Sequence, residues 1–138
     1  MVFKKVDVTR FWARVEKTET CWLWQGAKNG RGYGQFWRYN RKRIVAHKFA
    51  YWLLVGEIPE GLTLDHLCRV KHCVNPSHLE PVTHRENILR GEGVAAQNAR
   101  KTHCSRRHPL SPGNVEVYAG RRYCLTCRKL RIAGLIWK

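Results

Sequence analysis

Acidic residues are scarce in this chain. Ten Asp and Glu stand against 26 Lys and Arg over 138 residues, a formal net charge of +16. That imbalance makes a polyanion the expected working partner, with nucleic acid the first candidate. No apolar run approaches the roughly 18 residues of a membrane-spanning helix, and no basic amphipathic helix stands out, which argues against an anionic bilayer as the polyanion. Residues Met1-Val2-Phe3-Lys4-Lys5 lead into mixed polar sequence and not into the apolar core of a signal peptide, so a cytoplasmic location is expected. Internal repeats and low-complexity tracts are also missing. A chain of this length has room for one small core with an appended module, and so short a chain benefits from a staple.

The six cysteines are candidates for that staple. In a reducing compartment they read as metal ligands more readily than as disulfides. Cys68-x4-Cys73-x4-His78 supplies three ligands of the kind zinc prefers, on a loop too short to hold a core of its own. A closed structural site needs a fourth ligand, and Cys21 is the cysteine left over. The bland alternative is a set of small buried apolar residues. Further along, Cys104-x3-His108 and Cys124-x2-Cys127 flank a hairpin pattern over Val115–Tyr123 and resemble a zinc ribbon or knuckle. The C-x-x-C alone could be a redox pair, but that would leave Cys104 and His108 without a role. With this partition each zinc takes three cysteines and one histidine, and neither has an open position for catalysis.

Hydrophobic periodicity outlines the elements. Val8, Phe11, Trp12 and Val15 recur at helical spacing behind Asp7 as a cap, predicting a packing helix over about 8–17. From Cys21 to Ala46 the chain is rich in aromatic and β-branched residues broken by turns, as expected of a twisted antiparallel sheet. Ala46, Phe49, Ala50, Leu53 and Leu54 form a helical stripe ending at Gly56. Residues 62–66 read as a short strand, and Thr83-His84-Arg85-Glu86 has the form of a capping box opening a helix that carries Asn87. Residues 92–101 read as a linker or helix tail. The expected organisation is α+β: a domain over 1–91, then the linker, then a zinc module over 102–138. Leu135, Ile136 and Trp137 are apolar enough to dock on a partner or on their own domain.

His66 sits two residues before Cys68, so a zinc-pinned loop would fix its backbone and leave its ring free. An imidazole with an ordinary pKa of about 6.5 can accept a proton from water near neutral pH, the task of a general base. It could equally be an alternative zinc ligand. Asn87 offers an oxygen to a hard cation such as Mg²⁺. Asp65 is either a second ligand for that cation or the cap of a turn. A base beside a hard-metal ligand in a basic protein is what phosphodiester hydrolysis requires. His84, three residues before Asn87, reads as an exposed first-turn residue, and His47 as a hydrogen-bonded structural histidine.

Asp65-His66, then Asn75-Pro76-x-His78-Leu79, then Asn87 resembles the HNH endonucleases of the ββα-metal superfamily. Cys68, Cys73 and His78 are similar to the zinc-bearing His-Cys box branch of homing endonucleases. The likeness is closest over about 44–91 and extends to the freestanding HNH proteins of phages and mobile elements. It implies a small antiparallel sheet plus ββα-metal core, with His66 as general base, Asn87 as ligand of Mg²⁺ or Mn²⁺, and Asn75 bracing the loop by hydrogen bonds. Cys21, Cys68, Cys73 and His78 would hold a structural zinc. The third letter of the motif is Asn and not His, and Asp65 is typical of the wider HNH group but not of the His-Cys box. The Cys104, His108, Cys124 and Cys127 spacing is wider than the compact second zinc site of that branch, so its role does not transfer.

Double-stranded DNA is the expected substrate, cut to 5′-phosphate and 3′-hydroxyl ends in the cytoplasm of the host cell of a phage or mobile element. Arg31, Arg38, Arg41, Lys42 and Arg43, interleaved with Tyr33, Trp37 and Tyr39, fit a ribbon lying in a groove. Arg69, Lys71, Arg85 and Arg90 flank the expected active site. A monomer would nick, and a twofold homodimer would break both strands of a near-palindromic site. The rivals are a non-catalytic zinc-dependent DNA-binding regulator and, more remotely, an RNA-binding module.

Overall fold

The computed structural model describes residues 4–136; Trp137 of the apolar C-terminal trio lies outside them. The chain divides into two compact units, residues 1–87 and 88–138. Both are built from short helices and two-stranded antiparallel sheets, an α+β architecture.

In the first unit, α1 (Lys5–Trp12) is followed by β1 (Val15–Lys17), which pairs with β2 (Trp22–Trp24). The helix expected through residue 17 therefore ends at Trp12, and Val15 faces a strand partner, Trp24. Asp7 is no cap. It lies inside α1, 1% exposed, where it accepts the Tyr39 amide at 2.6 Å and pairs with Arg38 at 3.6 Å. β3 (Gln35–Trp37) pairs with β4 (Arg43–Val45), which runs into α2 (Ala46–Leu54).

Phe11, Trp24, Phe36, Phe49 and Val74 are fully buried at the centre of this unit. Phe11 stacks on Trp24 with centroids 5.1 Å apart, and both Phe11 and Phe36 meet Phe49 at 4.8 Å. Gly34 is dictated by that packing: a Cβ there would lie 2.6 Å from Cδ1 of Trp24 and 3.0 Å from the Ala46 Cβ. The tryptophan ring can lie across the strand because the side chain is missing.

The far edge of β2 does a second job. Trp24 donates its amide to the His72 carbonyl at 2.9 Å, and Val74 donates to the Trp22 carbonyl at 2.7 Å. Residues 72–74 thus run alongside β2, with Leu23 bridging Cys73. This pairing carries Cys21 to the loop that holds Cys68 and Cys73.

The unit closes with a hairpin and the first turn of a helix that crosses the boundary at Asn87. β5 (Leu62–His66) pairs with β6 (Leu79–Thr83), and α3 (His84–Arg90) follows directly. Thr83 Oγ1 accepts the Glu86 amide at 3.1 Å, the N-terminal cap anticipated from the S/T-x-x-E pattern. Leu64 and Leu79 pack with Tyr51 of α2, so the hairpin rests on α2 through the face that also bears His66.

The second unit holds α4 (Val94–Arg100), within the stretch expected as linker or helix tail, then a Cys104–His108 loop, β7 (Val115–Tyr118), β8 (Arg121–Cys124) and α5 (Leu125–Ile132). Ala119 and Gly120, at φ 48° and 73°, turn the hairpin between two strands in tight register. Asn114 ties the parts together: its amide donates to the Pro109 carbonyl, while its oxygen accepts from the Thr126 amide and hydroxyl at 2.9 and 2.8 Å.

Candidate active site and metal centres

Strand alternation sorts the catalytic candidates of β5 by face. Thr63 and Asp65 share one face, and Leu64 and His66 share the other. Asn87, on the first turns of α3, donates its side-chain amide to Thr63 Oγ1 at 3.1 Å. The structure therefore brings Asn87 over the Asp65 face of the hairpin. With its nitrogen engaged, the carbonyl oxygen is the donor that Asn87 retains for a cation. Asp65 is 4% exposed, and its Oδ1 is paired with Arg69 at 2.8 Å. Arg69 itself sits at φ 59°, in the left-handed region a non-glycine residue adopts only where its surroundings hold it.

His66 is 6% exposed, with Nε2 3.1 Å from the Cys73 carbonyl. A carbonyl oxygen can only accept, so Nε2 carries the proton and Nδ1 keeps the lone pair. The ring is held from other directions by Tyr33, centroid 5.8 Å away, and by His47, which meets it edge-on at 4.5 Å. Burial lowers the pKa of His66 below the usual 6.5, against the pull of the Cys73 hydrogen bond and Asp65. The imidazole is neutral at physiological pH, the state a base requires.

His47 is buried as the structural histidine expected, but the expected hydrogen bond is missing at one of its ring nitrogens. It is 6% exposed, and its Nδ1 makes no hydrogen bond among the described residues. Burial first, then the neighbouring His66 and Lys48, push its pKa down to about 3. It is a neutral ring wedged against His66. No local pattern in the sequence marks it, because the contact joins α2 to β5.

Cys21, Cys68, Cys73 and His78 converge, one ligand atom from each lying within 4.8 Å of the others. Sγ of Cys21 and of Cys73 stand 3.7 and 3.6 Å from His78 Nδ1. Zn–S bonds near 2.3 Å and Zn–N bonds near 2.05 Å set tetrahedron edges of about 3.6 Å for S···N and about 3.8 Å for S···S. The spacing suits zinc. Burial pushes the Cys73 thiol up to about 12, so a cation is what would keep it as a thiolate. The second cluster, Cys104, His108, Cys124 and Cys127, has the same character. Cys104 Sγ lies 3.5 Å from His108 Nδ1 and 3.7 Å from Cys127 Sγ. Cys124 occupies the residue before α5 and Cys127 lies in its first turn.

Asn75 caps the 3-10 turn Pro76–His78, its Oδ1 accepting from the Ser77 amide and hydroxyl at 3.1 and 2.8 Å. That turn delivers His78. His84 is exposed at the head of α3. Among the basic candidates, Arg31, Arg41, Lys42, Arg43, Lys71 and Arg85 are exposed, whereas Arg38 is turned onto Asp7, Arg69 onto Asp65, and Arg90 is half-buried.

Residues 45–89 match the HNH endonuclease family. Protein 2.8 of Escherichia phage T7 is 40% identical over 76 residues, 54% of this chain and 51% of that protein. Protein 7.7 of the same phage is 35% identical over 69 residues, 50% and 52% of the two chains. An uncharacterized gene 5.3 protein of Enterobacteria phage T3 is 30% identical over 50 residues, 36% of this chain and 50% of that one. The chain thus spans about half the length of the curated relatives it matches. No solved structure matches it.

Proposed function

We propose that this chain, whose residues 45–89 carry an HNH endonuclease domain, hydrolyses phosphodiester bonds of double-stranded DNA with His66 as general base. The observation that carries the reading is the contact of His66 Nε2 with the Cys73 carbonyl at 3.1 Å, which sets the tautomer. The Nε2–H is committed to the Cys73 carbonyl, which leaves Nδ1 to take the proton of a water attacking phosphorus. Because Cys73 belongs to the first Cys/His cluster, a zinc bound there would fix the carbonyl that orients the base. Tyr33 and His47 restrict the ring further.

Asp65 and Asn87 are the oxygen donors that would hold Mg²⁺ or Mn²⁺. When bound, such a cation stabilises charge on the phosphate and on the departing 3′ oxygen. Asp65 enters the site paired with Arg69, so a cation would take a carboxylate already held in place. Arg69, Lys71 and Arg85 surround the motif as phosphate contacts, and Arg41, Lys42 and Arg43 of the β3–β4 hairpin, with Arg31 in the turn before β3, extend the track. The likeness to phage proteins supports the cytoplasm of an infected cell as the place of work. One such site cuts one strand, and a homodimer would be needed to cut both.

Cleavage of duplex DNA by zinc-loaded protein should require Mg²⁺ or Mn²⁺, leave 5′-phosphate ends and fall by about two orders of magnitude or more in Asn87→Ala. Metal-independent cutting, or an Asn87→Ala variant as active as wild type, contradicts the assignment. The regulator reading gains only if duplex binding is tight and no cleavage occurs with either cation.

A further inference from the structure

We propose that the groove between the β7–β8 hairpin and α5 binds unpaired nucleotides of a DNA strand, with bases on Tyr118 and Tyr123 and phosphates on Arg128 and Arg131. This site lies outside residues 45–89 and goes beyond the cleavage chemistry assigned to them; only its preference for DNA rests on the nuclease reading.

The groove is concave, with a cavity of about 540 Å³ lined by both tyrosines, both arginines and Glu116. The strand register sets its aromatic wall. Tyr123 lies opposite Glu116, and Tyr118 follows Glu116 by two residues, so all three share one face of the hairpin. Tyr118 is 71% exposed and Tyr123 43%. Rings left in solvent on the wall of a cavity stabilise the unit little, yet they offer flat apolar faces suited to stacking.

Charge selects the occupant. From Ile88 to Lys138 the chain carries eleven Lys and Arg against two acids, Glu92 and Glu116. Glu116 pairs with Arg128 through Nη1 at 2.5 Å, which holds the guanidinium at the groove with its other N–H groups turned to donate; that pair is neutral as a whole, so Arg131 carries the net charge of the lining. Arg121, opposite Tyr118, adds a cation on the same face. Arg122 is excluded from this set because its guanidinium donates to the Asn98 and Lys101 carbonyls. Cys124 and Cys127 also line the cavity, so the second Cys/His cluster joins the hairpin to α5 and fixes the width of the groove.

Aromatic faces flanked by arginines match a strand whose bases are unstacked. A duplex presents phosphates but hides its base faces, so it would use the arginines and leave the tyrosines idle.

The test is fluorescence anisotropy with full-length, zinc-loaded protein and a labelled oligothymidylate, in buffer without Mg²⁺ or Mn²⁺ so that no strand is cut. A duplex and an oligouridylate of the same length are measured alongside. Each tyrosine removed should weaken single-strand binding roughly 5- to 150-fold. The Tyr118→Ala, Tyr123→Ala double variant should therefore lose at least tenfold on oligothymidylate, with duplex affinity and zinc content unchanged. The Phe pair should bind like wild type, and Arg131→Ala should lower the salt slope by about one. The proposal is overturned by a double variant that binds oligothymidylate normally, by equal losses on single strand and duplex, or by preference for oligouridylate. Since His66 and Asn87 are untouched and nothing is cut, these outcomes leave the nuclease reading standing.

Discussion

The neutral His47 wedge makes a quantitative prediction about acid. Folding places His47 in a site where its pKa is about 3, against 6.5 for the ordinary side chain. A folded-state pKa below the unfolded one stabilises the protein above the unfolded value, and that stability is lost as pH falls through the window between them. His66 and Lys48 are the charged or titratable neighbours that deepen the depression, and the Tyr33 ring packs alongside. Between pH 7.5 and pH 5 the unfolded chain takes up a proton that the folded one refuses, a penalty of about 2 kcal/mol at roughly 1.4 kcal/mol per pH unit. For a unit of this size that is about 10 °C in Tm. His47→Gln removes the titrating group. Its Tm, followed by tryptophan fluorescence with excess zinc, should fall about 10 °C less than that of wild type between those pH values. Protonation of the cysteines and histidines of the two Cys/His clusters affects both proteins alike and drops out of the comparison. Equal pH dependence in the two proteins would refute the argument.

Metal analysis should find both Cys/His clusters loaded, with Cys73→Ser and Cys104→Ser each retaining one equivalent of zinc fewer than wild type; an unchanged ratio would contradict the ligand sets. Chelation should also remove local structure visible by circular dichroism, not merely halt cleavage. Asn114→Ala, which frees the Cys104–His108 loop from α5, should speed zinc release from the second cluster about 10- to 100-fold, measured with a chromogenic chelator. Gly34→Ala should cost roughly 1–3 kcal/mol in denaturant unfolding, because its Cβ would overlap Trp24.

Local patterns in the sequence announced α2, β5 and the cap of α3, because each is written in contiguous residues: the stripe from Ala46 to Leu54, the run before His66, and Thr83 with Glu86. The two Cys/His clusters were legible for a different reason, since cysteine and histidine spacing constrains ligand geometry directly. What escaped notice depends on contacts between distant segments. Val15 continues the helical spacing of α1 yet pairs with Trp24, and the aromatic core ends the helix early. Asp7 has the identity of a cap but serves the Tyr39 amide 32 residues away. The role of His47 exists only once α2 lies against the β5–β6 hairpin. Arg38 reads as one more DNA contact until Asp7 is seen beside it.

The central claim is that His66 is the base. Supercoiled plasmid incubated with Mg²⁺ and zinc-loaded protein, wild type against His66→Ala at equal DNA occupancy, tests it most directly. The account predicts nicked or linear product from wild type, little or none from the variant, and unchanged zinc content and folding in both. A variant that still cuts, or one that loses zinc and fold together with cleavage, would contradict it.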